Sequence, residues 1–180
     1  IHEQLPEGVS LIRGGLMPGY MMEGLDASFD LVFFIGYHAM RGSLRGVLNH
    51  SYSGAAIYSL RLNGAPAGET AINAAWAGTF KAPVGLVSGD DVLCEEAGSV
   101  LPGAELVETK RAIGMLAAEN RHPAQVREAL CEAAGNAVKK VASLRPYVIE
   151  GPVEMEIEFV RTGQADAVSI LKGAERKNGN

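Results

Sequence analysis

Three side chains stand where this sequence can do chemistry: His38, His50 and Glu69. A neutral imidazole suits zinc and other borderline metals, and it can also carry a proton near neutral pH. A carboxylate beside it offsets the charge of a cation. Brought into one cleft, two imidazoles and one carboxylate make half of a metal-dependent hydrolytic site. Each residue alone has a plainer reading. His38 can be a packed histidine bonded to a backbone carbonyl, His50 a surface-loop histidine, and Glu69 a helix-dipole partner.

The elements around these residues decide whether they meet. Leu31-Val32-Phe33-Phe34-Ile35 is an unbroken apolar run, as in a central strand covered on both faces. It ends in Gly36-Tyr37-His38-Ala39, so His38 stands at the carboxyl end of a strand, the edge where open α/β sheets bind ligands. A Gly-rich polar segment then carries His50. Ala55 to Leu62 alternates, with Ile57, Ser59 and Arg61 on one face and Tyr58, Leu60 and Leu62 on the other. Asn63-Gly64 predicts a tight hairpin, and Pro66 keeps the return strand short. Gly68-Glu69 opens a helix ended by Gly78.

Further elements alternate in the same way. Val9 to Ile12 reads as a short strand, Tyr20 to Leu25 as a short helix, and Ile1 to Leu5 as the end of a helix. Val84 to Ser88 is a second buried strand, and Gly89-Asp90-Asp91 caps a helix over Val92 to Ala97, an assignment that outweighs an acidic metal pair at Asp90 and Asp91. Glu105 to Glu108 is another strand. Pro123 starts the longest helix, with Val126, Leu130, Ala134, Ala137, Val138, Val141 and Leu144 on one face. Val153 to Val160 alternates as a one-sided antiparallel or edge strand, and Ala165 to Leu171 starts a last helix. The fold class is α/β: a partly parallel mixed sheet flanked by helices, with a β-hairpin. We expect a single domain over residues 1–180, with a seam near Arg145-Pro146 where a smaller C-terminal lobe, 146–180, would begin.

Composition narrows the function. The 180 residues carry a formal net charge of -5 with no Lys/Arg cluster, a poor match to nucleic-acid binding. No segment is apolar for the ~20 residues of a membrane span. Cys94 and Cys131 form no Cys-x-x-Cys pair, which favours a reducing, cytoplasmic setting. Serine chemistry at Ser51 or Ser53 lacks a Gly-x-Ser-x-Gly elbow. The glycines fit neither a dinucleotide fingerprint nor a phosphate loop. His2 and His122 read as solvent positions.

Five segments, in order, resemble the DppA-type D-aminopeptidases, zinc peptidases found largely in bacteria. They are Tyr20-Met21-Met22-Glu23-Gly24-Leu25-Asp26, Phe33-Phe34-Ile35-Gly36-Tyr37-His38-Ala39, Gly46-Val47-Leu48-Asn49-His50-Ser51, Asn63-Gly64-Ala65-Pro66-Ala67-Gly68-Glu69 and Val87-Ser88-Gly89-Asp90-Asp91. The resemblance runs from about Pro6 through the long helix. It implies two zinc ions in one site, His38 and Glu69 among their ligands, and His50 as the catalytic side chain. It also implies a short peptide substrate with an N-terminal D-residue, and a ring-like homo-oligomer.

The family's other ligands lie on an N-terminal Asp-x-Glu-Gly strand and on an upstream histidine, and neither motif occurs here. The chain is therefore read as an N-terminally truncated fragment that alone binds zinc weakly and has negligible activity. The rival expectations are an inactive scaffold and an oligomerising peptide-binding module without catalysis.

Overall fold

The computed structural model describes residues 2–180. Of the helix end expected over Ile1 to Leu5, Ile1 lies outside the described residues, and a 3-10 turn covers His2–Gln4. Two sheets share one helix between them. The larger is built from β1 (Val32–Ile35), β4 (Val84–Asp90), β5 (Glu105–Gly114) and β6 (Ala117–Asn120), in the order β1-β4-β5-β6. The β1/β4 and β4/β5 pairs are parallel, and β5/β6 is antiparallel. The smaller sheet has the order β3-β2-β7, from β2 (Ile57–Leu62), β3 (Ala65–Pro66) and β7 (Met155–Phe159), and is wholly antiparallel.

Helix α1 (Glu69–Thr79) lies between the two sheets because its faces are small. Ala74 and Ala77 pack with Phe34, Val84 and Val87 of the large sheet. Ala71 packs with Ile57, Leu60 and Leu62 of the small one. Helix α2 (Asp91–Val100) covers the same face of the large sheet through Leu93 and Ala97. Helix α3 (Pro123–Lys139) covers the other face, where Ala133 and Leu130 meet Leu86 and Val107. With helices on both faces, all seven residues of β4 are buried. A short α4 (Thr162–Ser169) follows β7.

Several expected elements take a different form. Among the described residues β1 ends the sheet order rather than lying centrally, and Ile35 is exposed. Val9 to Ile12 is not a strand: Val9, Leu11 and Ile12 are exposed and no ladder includes them. The expected helix from Tyr20 is a single 3-10 turn, Tyr20–Met22. On β2 the register against β7 shifts between Ile57 and Ser59, which turns Ile57 into the core alongside Leu60 and Leu62 and leaves Tyr58 exposed. On α3 the buried contact narrows to Ala133 and Ala137, and Val138 is exposed. The Asn63-Gly64 turn forms as expected, with φ of 48° and 79°.

Candidate metal centre

His38 reaches its place through a turn held by β4. Beyond β1, Gly36 takes φ of +74°, a conformation that suits glycine, and the chain turns out of the sheet. The Gly36 N–H donates to Ser88 Oγ at 3.1 Å, and the Tyr37 N–H donates to the Ser88 carbonyl at 2.9 Å. The Tyr37 ring stacks on Phe34, with centroids 4.5 Å apart. The next residue, His38, is half-buried at the carboxyl edge of the sheet.

His50 arrives on an irregular loop held by side chains and backbone from other elements. Arg45, Leu48 and Tyr52 all have positive φ (71°, 51° and 55°). Such left-handed non-glycine residues cost on the order of 1–3 kcal/mol each and persist only where surrounding contacts fix them. Those contacts are present. Val47 N–H donates to Asp90 at 2.6 Å, Arg45 to the Ala112 carbonyl at 3.0 Å, and Leu48 N–H to the Met115 carbonyl at 2.8 Å. Asn49 Nδ2 donates to the Ser43 carbonyl at 2.7 Å.

Glu69 is the first residue of α1, delivered by the β2–β3 hairpin, and is 5% exposed. The helix N-terminus favours its negative charge. Its Oε1 accepts the Tyr52 N–H at 2.7 Å. Nearby, Asn73 accepts from the Tyr52 hydroxyl and donates to the Tyr37 hydroxyl, each at 3.0 Å. Burial pushes both phenols up, Tyr37 to about 12.

The structure brings the three residues together. His38 Nε2 lies 3.6 Å from Glu69 Oε2, and His50 Nε2 lies 3.8 Å from Glu69 Oε1. The two imidazoles stack, with centroids 4.0 Å apart and planes 17° from parallel. One donor atom from each residue fits within a 4.8 Å cluster. The other ring nitrogens are already committed. His38 Nδ1 bonds the Ala39 carbonyl at 3.1 Å, and His50 Nδ1 bonds the Leu48 carbonyl at 2.6 Å. A carbonyl only accepts, so each Nδ1 carries a hydrogen and each Nε2 is the ring atom turned toward Glu69. Ligating histidines are held in this way by their second nitrogen.

Two such nitrogens and a carboxylate at these distances are drawn together by a positive charge among them, either a proton on an imidazole or a metal ion. The spacing suits a metal: ligands at ~2.0–2.1 Å in tetrahedral geometry stand roughly 3.4 Å apart. The donor set also fits zinc, whose catalytic sites include two histidines and one glutamate. The charges respond to one another as expected. The facing Glu69 carboxylate raises the His38 imidazole above its ordinary value, against burial. Burial pushes the Glu69 carboxyl up, but His38, the Tyr52 N–H and His50 together hold it below the ordinary range.

The plainer residues separate from the cluster. Asp90 and Asp91 serve backbone groups: Asp90 accepts the Leu93 N–H at 2.8 Å and so caps α2, and Asp91 accepts the Ala112 N–H at 2.7 Å. Ser51 is buried, and both nitrogens of His50 are turned to Leu48 and Glu69, so neither serves a nearby serine. His122 is exposed and caps α3, its Nδ1 accepting the Ala124 N–H at 3.2 Å. Sequence reasoning missed Tyr52, Asn73 and Glu96. The Glu96 carboxylate accepts the Met40 N–H at 2.8 Å beside His38. Nothing local marks them, because each acts across 17 to 56 residues of chain.

A family model described as D-aminopeptidase matches residues 1–180. A D-aminopeptidase of Bacillus subtilis (strain 168) is 34% identical over 180 residues, covering 98% of this chain and 64% of that protein. Among solved structures, the Zn-dependent D-aminopeptidase DppA from Bacillus subtilis, described as a self-compartmentalizing protease, superposes with a TM-score of 0.93 at 32% identity. That match covers 99% of this chain and 65% of the other, so the chain spans just under two thirds of the relatives it resembles.

Proposed function

The chain belongs to the D-aminopeptidase family, and from that premise we propose that its protein is a zinc-dependent aminopeptidase acting on short peptides with N-terminal D-residues. The observation that carries this reading is the convergence of His38 Nε2, His50 Nε2 and the Glu69 carboxylate on one point, each histidine fixed through its Nδ1. His38 and Glu69 would hold the metal. The D-preference rests on the family alone. Zinc, when bound, supplies a Lewis acid for the scissile carbonyl and lowers the pKa of water toward ~7.

The chain's own residues do the rest. Glu69 neutralises charge at the centre, and the Tyr52 N–H keeps its carboxylate aimed. His38 fixes direction through the Ala39 carbonyl. His50 would handle the proton: its Nε2 would take one from the attacking water and give it to the departing amine, a role worth ~100–10,000-fold in rate. Two ions sharing the site would take about four ligands each, so the two-ion reading calls on donors besides these three. The relative's description as self-compartmentalizing supports a ring-like homo-oligomer of this protein as well. Cys94 and Cys131 are both free, which supports a cytoplasmic location. No helix among the described residues is long and apolar enough to cross a membrane.

A second reading has its own observation. His50 Nε2 lies almost as near Glu69 as His38 does, so His50 can instead complete a three-ligand set around one ion. One experiment separates the two. Zinc content and hydrolysis of a D-alanyl peptide are measured for the wild-type protein and for His50→Ala. Retained zinc, about two ions per chain, with turnover reduced at least ~100-fold supports the proton role. Loss of zinc assigns His50 as a ligand. A wild-type protein with no zinc and no hydrolysis, or with hydrolysis indifferent to chelators, overturns both.

A further inference from the structure

Helix α2 contributes nothing to the three-residue cluster, yet the carboxylates at its start and middle bind backbone N–H groups near His38 and His50 and close on Gly68, the residue before Glu69. Asp90, the N-cap, is 2% exposed and uses both oxygens. Oδ1 accepts the Leu93 N–H at 2.8 Å, which is the cap, and Oδ2 accepts the Val47 N–H at 2.6 Å, three residues before His50. Farther along, Glu96 Oε2 accepts the Met40 N–H at 2.8 Å, two residues after His38. Glu96 Oε1 lies 2.7 Å from where a Cβ on Gly68 would stand, directly before Glu69. Asp91 adds the Ala112 N–H at 2.7 Å and Arg45 at 3.5 Å.

Capping α2 needs only one oxygen of Asp90 and none of Glu96. Burying a carboxylate is costly unless it is hydrogen-bonded, so these placements are explained by what they hold. What they hold has no regular structure of its own: the chain from His38 to His50 forms neither helix nor strand. We infer that Asp90 and Glu96 are positioning residues, two tethers from α2 that fix the His50 and His38 loops and so set the imidazole stack against Glu69. The inference rests on the zinc-site reading above and deepens it. Groups that orient metal ligands from behind are typically worth 10–100-fold in metal affinity or activity.

The test uses Glu96→Ala, Glu96→Gln and Asp90→Asn in the zinc-loaded protein. It reads zinc affinity, kcat and KM for a D-alanyl peptide, and amide hydrogen exchange at Met40 and Val47. Glu96→Ala should lower zinc affinity or kcat about 10- to 100-fold, leave KM little changed, and speed exchange at Met40. Glu96→Gln should restore most of the loss, since its amide oxygen still accepts from Met40. Asp90→Asn keeps an oxygen for the cap but turns an NH2 toward Val47, so exchange at Val47 should quicken and kcat should fall while the fold persists. The inference is overturned if the wild type binds zinc and turns over while all three variants match it, or if Glu96→Gln is as damaged as Glu96→Ala. If the wild type neither binds zinc nor cleaves, the functional reading fails, and the exchange rates at Met40 and Val47 alone judge the tethers. Should Glu96→Ala not fold, Glu96→Gln and Asp90→Asn carry the same comparison.

Discussion

Replacing Gly68 by serine sets a general rule against this structure's packing. Gly68 is the N-cap of α1, has extended backbone angles (φ of -103°, ψ of -175°), and offers no side-chain cap. Serine is a better N-cap than glycine by a few tenths of a kcal/mol, and the backbone angles suit any residue. Local rules therefore predict a small gain. The surroundings predict the opposite, because a Cβ at position 68 would stand 2.7 Å from Met40 Cβ, 3.2 Å from Met40 Cα and 2.7 Å from Glu96 Oε1. The glutamate tip can swing away, but then it releases the Met40 N–H, and the Met40 backbone cannot follow without moving His38. Overpacking of this kind costs about 1–3 kcal/mol. At about 2–4 °C per kcal/mol for a chain of this size, Tm should fall by roughly 2–12 °C. Differential scanning calorimetry gives the sign, and zinc titration of the same samples should show weakened binding, since His38 and Glu69 flank the wedge. A Tm equal to or above wild type with unchanged zinc affinity would refute the close approach of α1, α2 and the His38 loop.

Two other measurements probe the scaffold. Gly78→Ala raises helix propensity, yet a Cβ there would meet the Tyr147 carbonyl oxygen at 2.0 Å, so we expect a loss of about 1–3 kcal/mol in urea unfolding. Native protein at pH 8 should react quickly with one thiol reagent per chain at Cys131, which is exposed. Cys94 should wait for unfolding, because burial pushes its thiol up to about 11 and Glu108 and Asp90 add to the shift. Two fast thiols in the native state would show that α2 does not seal Cys94.

His38 and Glu69 were legible because each sits next to a signal strong enough to fix an element end, whereas His50, on an irregular loop, was singled out only by the resemblance to a family. An unbroken apolar run stops before His38, and an Asn-Gly turn and a Gly-Glu helix start precede Glu69. The β4–α2 junction was legible for the same reason, as Gly89-Asp90-Asp91 both ends a strand and caps a helix. β6 was not. Ala117-Ala118-Glu119-Asn120 has no β-branched or aromatic residue, and it is a strand only because it pairs with β5. The two faces of β2 were misjudged at Ile57 and Tyr58 because a register shift against β7 is a property of the pair, invisible in one strand. Val9 to Ile12 shows the converse, a strand-like composition with no partner strand among the described residues.

The tethers lay beyond sequence reading for a related reason. Glu96 stands mid-helix, where a glutamate is ordinarily a solvated surface residue, and its partner Met40 is 56 residues away. What gives such a residue meaning is the unmet need of the site itself. Two imidazole nitrogens and a carboxylate held within 4.8 Å of one another are favourable only with a positive charge among them, and the loop bearing His50 adds three left-handed residues to the cost of holding them there. A loop free to relax would turn an imidazole to solvent. It does not, because the carboxylates of α2 hold Met40 and Val47 and the Tyr52 N–H holds Glu69. The scaffold thus maintains an arrangement that a positive charge stabilises, and that is the physical ground for proposing a metal there.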